Sequence, residues 1–515
     1  MLVHHFLEDS AGRLPDKTAL ICGDKRFTYR QINELSDRLA GSLINMGAGK
    51  QDRVLILMDN SVESIISLFG ILKAGCIFVM LSATMKPKKI RYILKDTGAE
   101  ILITHGNKSR VLNEVVRDPV DLKQIIWAGK SSNLPLPSTI ESRGFDAIIA
   151  DTQVYSSSGQ NAVIDVDLAT LIYTSGSTGE PKGVMSAHYN MVSAVKSITH
   201  YLENVEDDII LNVLPLSFDY GLYQVLMAFF KGCTVVLEKS FVYPYKIMER
   251  LVKERVTGFP IVPTMVAILL QMEKISSFDF SALRYISNTA AALPVAYIRK
   301  IQKIFPQTKI FSMYGLTECK RVSYLPPALI SSRPESVGIP IPNEEVFIVD
   351  GDGNSLGPDK IGELVVRGSN VMQGYWNAPE ATAKMFRPGR YRGDVLLYTG
   401  DLFKKDEEGF LYFVSRKDDM IKTKGERVSP KEIENVLCEM DGILEAAVIG
   451  VPDDIFGQAI KAFVVGDQKI NLTKQQVVKY CTRNLEPFMV PKYVEFQEEF
   501  LKSDSGKIDK KVLQA

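Results

Sequence analysis

Two short runs near the N-terminus, "VLILMDN" from Val54 and "CIFVML" from Cys76, place apolar residues in succession rather than in alternation. A strand of that kind needs cover on both faces, which a parallel sheet clothed by helices supplies. The segment between them, from Val62 to Leu72, has helical spacing, so strand, helix and strand follow one another as in a crossover unit. Upstream, "TYRQINELSDRLAGSLINMG" offers Thr28 and Gln31 as a capping box, sets Ile32, Leu35, Leu39 and Leu43 on one helical face, and stops at Gly47. The alternation returns from Ile209 to Leu237 and runs through Phe311, which predicts a large α/β body reaching to about residue 330.

Beyond it the texture changes. "GIPIPNEEVFIVDGDGNSLGPDKIGELVVRG", from Gly338, reads as short strands joined by Gly, Pro, Asn and Asp turns, a small β-rich region. Its "DGDGN" has the look of a calcium loop, but Ser355 stands where the sharp turn needs Gly and Ile361 where a Glu must close the loop, so a hairpin turn is expected. Farther on, Ser429 and Glu432 suggest a second capping box with Pro430 at the first helical position, and Ile433, Val436, Leu437 and Met440 follow at helical spacing. "EAAVIGVPDDIFGQAIKAFVVG" then gives two strands around a polar loop, and a helix follows from Thr473 to Asn484. A boundary near Lys417 divides residues 1–416 from a compact α+β domain, 417–515. No internal repeat or low-complexity tract occurs.

The totals narrow the function. The length of 515 residues exceeds what one core holds. Sixty-one basic residues balance sixty-one acidic ones, so the electrostatic excess that nucleic-acid binding draws on is missing. Six dispersed cysteines, with no CxxC pair and with none of the five histidines clustered beside them, argue for free thiols in a reducing compartment and against a zinc site. The N-terminus has no signal-peptide pattern, and the most apolar stretch, Ile65 to Leu81, is broken by Ser67, Gly70, Lys73 and Gly75. A cytoplasmic protein without a membrane span is expected.

The stretch "YTSGSTGEPKGVM", residues 173–185, gathers Thr174, Ser175, Ser177 and Thr178 among Gly176, Gly179 and Gly183, then adds Lys182. Glycines let backbone N–H groups close on an anion, and hydroxyls with one lysine add donors, a combination suited to a polyphosphate tail. It is not a Walker A loop, since Pro181 lies five residues after Gly176 and Gly183 follows Lys182; GxGxxG, GxSxG and HExxH patterns are also missing. Together with "MYGLTE" (313–318), "YTGD" (398–401), "RKDDMIKTKGERVSPKEIE" (416–434) and "SGKIDKK" (505–511), the stretch resembles the ordered motif set of the acyl-adenylate-forming superfamily. That superfamily contains acyl-CoA synthetases, amino-acid adenylation domains and firefly-type luciferases. The resemblance spans essentially the whole chain and implies a large N-terminal α/β domain with a mobile α+β C-terminal domain.

It also implies a chemistry: a carboxylate attacks the α-phosphorus of ATP, pyrophosphate leaves, and the acyl-AMP passes to a thiol. Charge accumulating on phosphate oxygens calls for cations and Mg²⁺. By resemblance, Thr174, Ser175, Gly176, Ser177, Thr178, Gly179 and Lys182 cradle the β- and γ-phosphates, with Tyr314 and Gly315 beside the nucleotide. Thr317 then serves the α-phosphate and Glu318 binds Mg²⁺. Asp401 accepts the ribose hydroxyls, and Arg416 is its cationic companion. Lys507 matches the catalytic lysine of adenylation, Asp418 the hinge, and Lys424 and Gly425 the loop lining the thiol's tunnel.

The acid and the thiol stay open. In "LPLSFDYGLYQ", Phe218 and Asp219 fit the pattern of amino-acid-activating enzymes, where an Asp pairs with the substrate ammonium; an Asp capping a helix start explains it equally. The same stretch with "MYGLTECKRVSYLPP" also resembles bacterial acyl-CoA ligases found with exosortase systems. Pocket walls are expected at Val262 and, from "YISNTAAALP", at Ala290 and Ala291, where the family more often has glycine. The chain ends eight residues after Lys507, which implies an unfused acceptor, either CoA or the phosphopantetheine of a separate carrier protein. A luciferase-like oxygenase would consume oxygen without a thiol, and a dead scaffold would bind nucleotide without turnover.

Overall fold

A computed structural model describes the chain apart from residues 131–135, 152–161, 175–179, 292, 424–425, 454–456, 468–469, 504–505 and 515. The chain divides into two compact units, neither continuous in sequence: Met1–Pro260 with Leu316–Arg321 and Gly368–Phe386, and Ile261–Gly315 with Val322–Arg367 and Arg387–Ala515.

In the first unit the double-covered strands form the expected sheet. Arg53–Leu57 lies between Ile77–Leu81 and Ile101–His105, all parallel, with Leu55 opposite Val79 on one side and Leu102 on the other. Gln124–Ala128 and Glu141–Gly144 extend one edge in parallel, and the hairpin of Leu168–Thr174 with Lys182–Ala187 closes the other. The helix Val62–Lys73 carries a formed Ser61–Ser64 capping box and buries Ile65 through Leu72. Leu55, Val79, Leu102, Ile125 and Trp127 make the core of this layer, each such side chain contributing about 1.5–3 kcal/mol on burial. A second sheet runs from Ile209–Asn212 through Thr234–Leu237 to Thr18–Cys22 in parallel, then turns antiparallel into Lys25–Thr28. There the Thr28–Gln31 box is formed and starts the helix Tyr29–Asn45, and Gly47, with φ of +91°, follows its end.

The second unit begins with Tyr285–Asn288 and Lys309–Tyr314, paired in parallel. The β-rich region follows as Glu344–Val349, Gly362–Gly368, Val395–Lys405 and Leu411–Arg416, largely antiparallel. "DGDGN" is a turn: Asp350 Oδ1 accepts from the amides of Asp352 and Asn354, so the carboxylate serves its own backbone. The last hundred residues form the expected α+β layer. Ile443–Asp453 and Gly457–Gly466 pair antiparallel with Val448 opposite Ala462, and the helices Pro430–Glu439 and Lys474–Asn484 bury Ile433, Leu437 and Val477 against them. One sequence expectation fails. Ser429 precedes the helix but caps nothing, because its hydroxyl donates to the Val414 carbonyl at 2.6 Å, so the Ser429–Glu432 box does not form. Thr473 and Gln476 do form one for the next helix. The six cysteines are free, and no helix is long and apolar enough to cross a membrane among the described residues.

Candidate active site

Thr174 and Lys182 are cross-strand partners, so the sheet pins both ends of the Ser/Thr/Gly loop between them. Ser175, Gly176, Ser177, Thr178 and Gly179 lie outside the described residues, as do Lys424 and Gly425. The Lys182 ammonium sits over the ring of Tyr375, 5.5 Å from its centroid, and the Tyr375 hydroxyl donates to Glu318 Oε1 at 2.7 Å. Tyr375 is held there by main-chain pairing: it bridges to Val184, and the Trp376 amide donates to the Gly183 carbonyl at 2.7 Å. Thr317 and Glu318 stand in a turn after the strand Lys309–Tyr314, half-buried, with the Glu318 carbonyl accepting from the Met372 amide.

The same turn continues into two buried cations. Lys320 has a left-handed backbone, φ +64°, which a side chain bearing a Cβ adopts at a cost of about 1–2 kcal/mol. Asn370 holds the strained segment by donating to the carbonyls of Cys319 and Arg321, at 2.7 and 2.9 Å. The Lys320 ammonium lies 3.6 Å from Asp219 Oδ2 and over the ring of Tyr223. Burial holds it below the ordinary lysine range, opposed by the charges of Asp219 and Glu318. Asp219 opens the helix Asp219–Lys231; Phe218 is the cap residue, so the carboxylate acts within the first turn and not as the cap. Removing either member of a buried ion pair strands the other. Asp219→Asn should destabilise the fold by about 3 kcal/mol, and Lys320→Met added to it should restore most of the melting temperature, as read by scanning calorimetry.

In the second unit, Asp401 lies on the strand Val395–Lys405 and is 8% exposed. Its Oδ2 accepts from the Tyr314 hydroxyl at 2.5 Å, while Oδ1, 3.4 Å from Arg416 Nε, accepts no hydrogen bond among the described residues. A buried carboxylate oxygen left without a donor suits a sugar hydroxyl. Burial raises the Asp401 carboxyl above the usual carboxylate range, against the lowering effects of Arg416, Tyr314 and Lys507. Tyr314 packs edge-on to Phe403, which fixes its ring. Lys507 stands in a tight hairpin: the Ser503 amide donates to its carbonyl at 2.8 Å, and Lys502 bridges to Ile508. At the tip, Gly506 has φ of +76°, and a Cβ there would come within 3.2 Å of Val262 and Thr264. Val262 itself is buried at the start of the helix Pro263–Gln271. Ala290 holds a left-handed φ of +76°, the conformation for which glycine is the usual choice, and the Ala291 carbonyl accepts from Asn288. Asp418 is exposed in the turn that leads from Leu411–Arg416 to Ile421–Thr423.

Several partners escaped the sequence reading. Tyr375 lies 57 residues from Glu318, too far for any local pattern to pair them. Lys320 and Arg321 had a visible signal, two adjacent cations in the stretch that begins at "MYGLTE".

Comparison with known proteins agrees with this chemistry. Residues 7–376 match the AMP-binding enzyme family and residues 432–507 the AMP-binding enzyme C-terminal domain. A long-chain-fatty-acid–CoA ligase of Bacillus subtilis is 32% identical over 98% of this chain and 92% of its own length, and one of Escherichia coli O157:H7 is 32% identical over 97% and 92%. Among solved structures, the anthranilate CoA ligase AuaEII in complex with anthranoyl-AMP superimposes with a TM-score of 0.90 at 26% identity, covering 100% of this chain and 96% of that one. ATP-bound MatB from Rhodopseudomonas palustris gives 0.86 at 26% identity, covering 100% and 98%. The chain therefore belongs to the AMP-binding enzyme family, as an AMP-forming acid–thiol ligase of the acyl-CoA synthetase type that makes an acyl-AMP and then a thioester.

Proposed function

We propose that the acid activated here is not an amino acid and that the accepting thiol is CoA. The observation that carries this is the Asp219–Lys320 pair: the carboxylate available to hold a substrate ammonium already faces a buried ammonium of the chain itself, 3.6 Å away. A second cation at that place would be repelled by the first. The relatives named as fatty-acid–CoA ligases support CoA over a carrier protein.

Within this reading, Lys182, Thr174 and the loop 175–179 hold the β- and γ-phosphates, and Thr317 holds the α-phosphate. Glu318 fits Mg²⁺, since Tyr375 engages only one of its oxygens and a hard cation bound with nucleotide takes one or two carboxylates plus phosphate oxygens. When bound, the ion offsets phosphate charge. Asp401 accepts the ribose hydroxyls with Tyr314 and Gly315 alongside and Arg416 next to it, and Lys507 donates to the transferred phosphate oxygens. Asp418 is the hinge between residues 1–416 and 417–515, and Lys424 with Gly425 lines the thiol's path. Phe218, Val262, Ala290 and Ala291 wall the acid. The test is ATP–pyrophosphate exchange across fatty, aryl, hydroxy and amino acids, followed by CoA consumption. Exchange with non-amino acids followed by acyl-CoA is expected, and exchange confined to amino acids overturns the reading.

A further inference from the structure

The ion pair of Asp219 with Lys320 leaves a cation over. Arg321 is 3% exposed, its guanidinium lies over the Tyr220 ring at 5.2 Å, and no carboxylate pairs with it among the described residues. Burying an arginine without a counter-charge is expensive, and proteins avoid it unless an anion arrives from elsewhere. Two further donors of this cluster, Arg321 Nε and the Tyr223 hydroxyl, lack an acceptor among the described residues, the latter on a side chain 1% exposed, and Lys320 Nζ has its ion pair with Asp219 at 3.6 Å. Glu318, three residues before Arg321 in the chain, is engaged by Tyr375. What the cluster lacks is therefore negative charge with several acceptor oxygens.

We propose that this cluster is a subsite for a second anionic group on the acid, so that the preferred substrate is a dicarboxylic acid activated at one end. The inference rests on the ligase reading above and narrows its substrate. Arg321 follows Thr317 by four residues, which bounds their Cα separation to about 14 Å and brings both ends of a short diacid within one molecule's reach. A planar guanidinium takes a carboxylate through two parallel hydrogen bonds, and the lysine and phenol beside it supply further donors. The strained backbone at Lys320 fits a segment shaped for binding.

The experiment compares ATP–pyrophosphate exchange for α,ω-dicarboxylic acids from succinate to dodecanedioate with that for monocarboxylic acids of equal length, in wild type and in Arg321→Met. At the best length, the diacid should exceed its monoacid partner in kcat/KM by at least about tenfold, and the variant should bring that ratio close to one. Arg321→Lys should recover part of the ratio. The variant's ligand-free melting temperature should rise, because an uncompensated buried charge is gone. A wild-type ratio near one overturns the inference and leaves the ligase reading standing. Equal loss of both acid classes in Arg321→Met, with the ratio kept, also overturns it, assigning the arginine to the reacting carboxylate or to the fold. If neither class exchanges, the ligase reading fails by itself. Calorimetric titration of adipate into the protein then reads the subsite alone: binding lost in Arg321→Met supports it, and equal heats in both proteins overturn it.

Discussion

Lys507→Ala should lower ATP–pyrophosphate exchange by at least about 10²–10³-fold while retaining thioester formation from supplied acyl-AMP. The expectation follows from where the lysine stands and from what it can do there. Its hairpin is closed by two main-chain to side-chain contacts with Ser503, and its neighbour Gly506 sits so close to Val262 that a Cβ there would make a tight contact at 3.2 Å. The lysine's charge reaches Asp401, the proposed ribose ligand. In the proposed role, this cation would stabilise charge growing on the α-phosphate during attack, and would have no such charge to stabilise once the mixed anhydride has formed. The two half-reactions, measured separately on one preparation, decide it. Equal loss in both would remove Lys507 from the adenylation step.

Asp401→Asn should raise the KM for ATP about 10- to 100-fold, the loss expected when charge-assisted hydrogen bonds to two hydroxyls become neutral ones. The same substitution should raise the melting temperature of the ligand-free protein at neutral pH. Burial raises the Asp401 pKa in the folded state, so the folded chain binds this proton more tightly than the unfolded chain does. The stability associated with the protonated group is complete below the unfolded pKa and is lost as pH rises through the folded one. The wild type therefore carries an unfavourable charge at pH 7 that asparagine does not, and the gap in melting temperature should close below about pH 4, where both states hold the proton. A gap that persists in acid would point to altered packing instead.

The sequence carried a good part of this architecture because its strongest signals are local. Uninterrupted apolar runs at Val54 and Cys76 declared a sheet covered on both faces, and Thr28 with Gln31 declared a helix start, since capping needs only residues three apart. Ser429 shows the limit of that logic: the box depends on the hydroxyl being free, and the Val414 carbonyl, fifteen residues earlier, takes it. The motifs located Tyr314, Glu318 and Asp401 singly. Their bonds were hidden, because Tyr314 meets Asp401 across 87 positions and Glu318 meets Tyr375 across 57. Asp219 is the sharper case. Read alone it invites a substrate amine, and only the fold reveals that Lys320, a hundred and one residues on, already fills that role.

Tyr375 joins two parts of the molecule that recombination treats as separate: its ring faces Lys182 and its hydroxyl serves Glu318. A chimaera spliced anywhere between residues 182 and 375 would inherit the lysine from one parent and the tyrosine from another, and a breakpoint after 318 would split the carboxylate from its donor as well. Functional crossovers in this stretch are thus confined to parents that agree at position 375, or to joints placed beyond it.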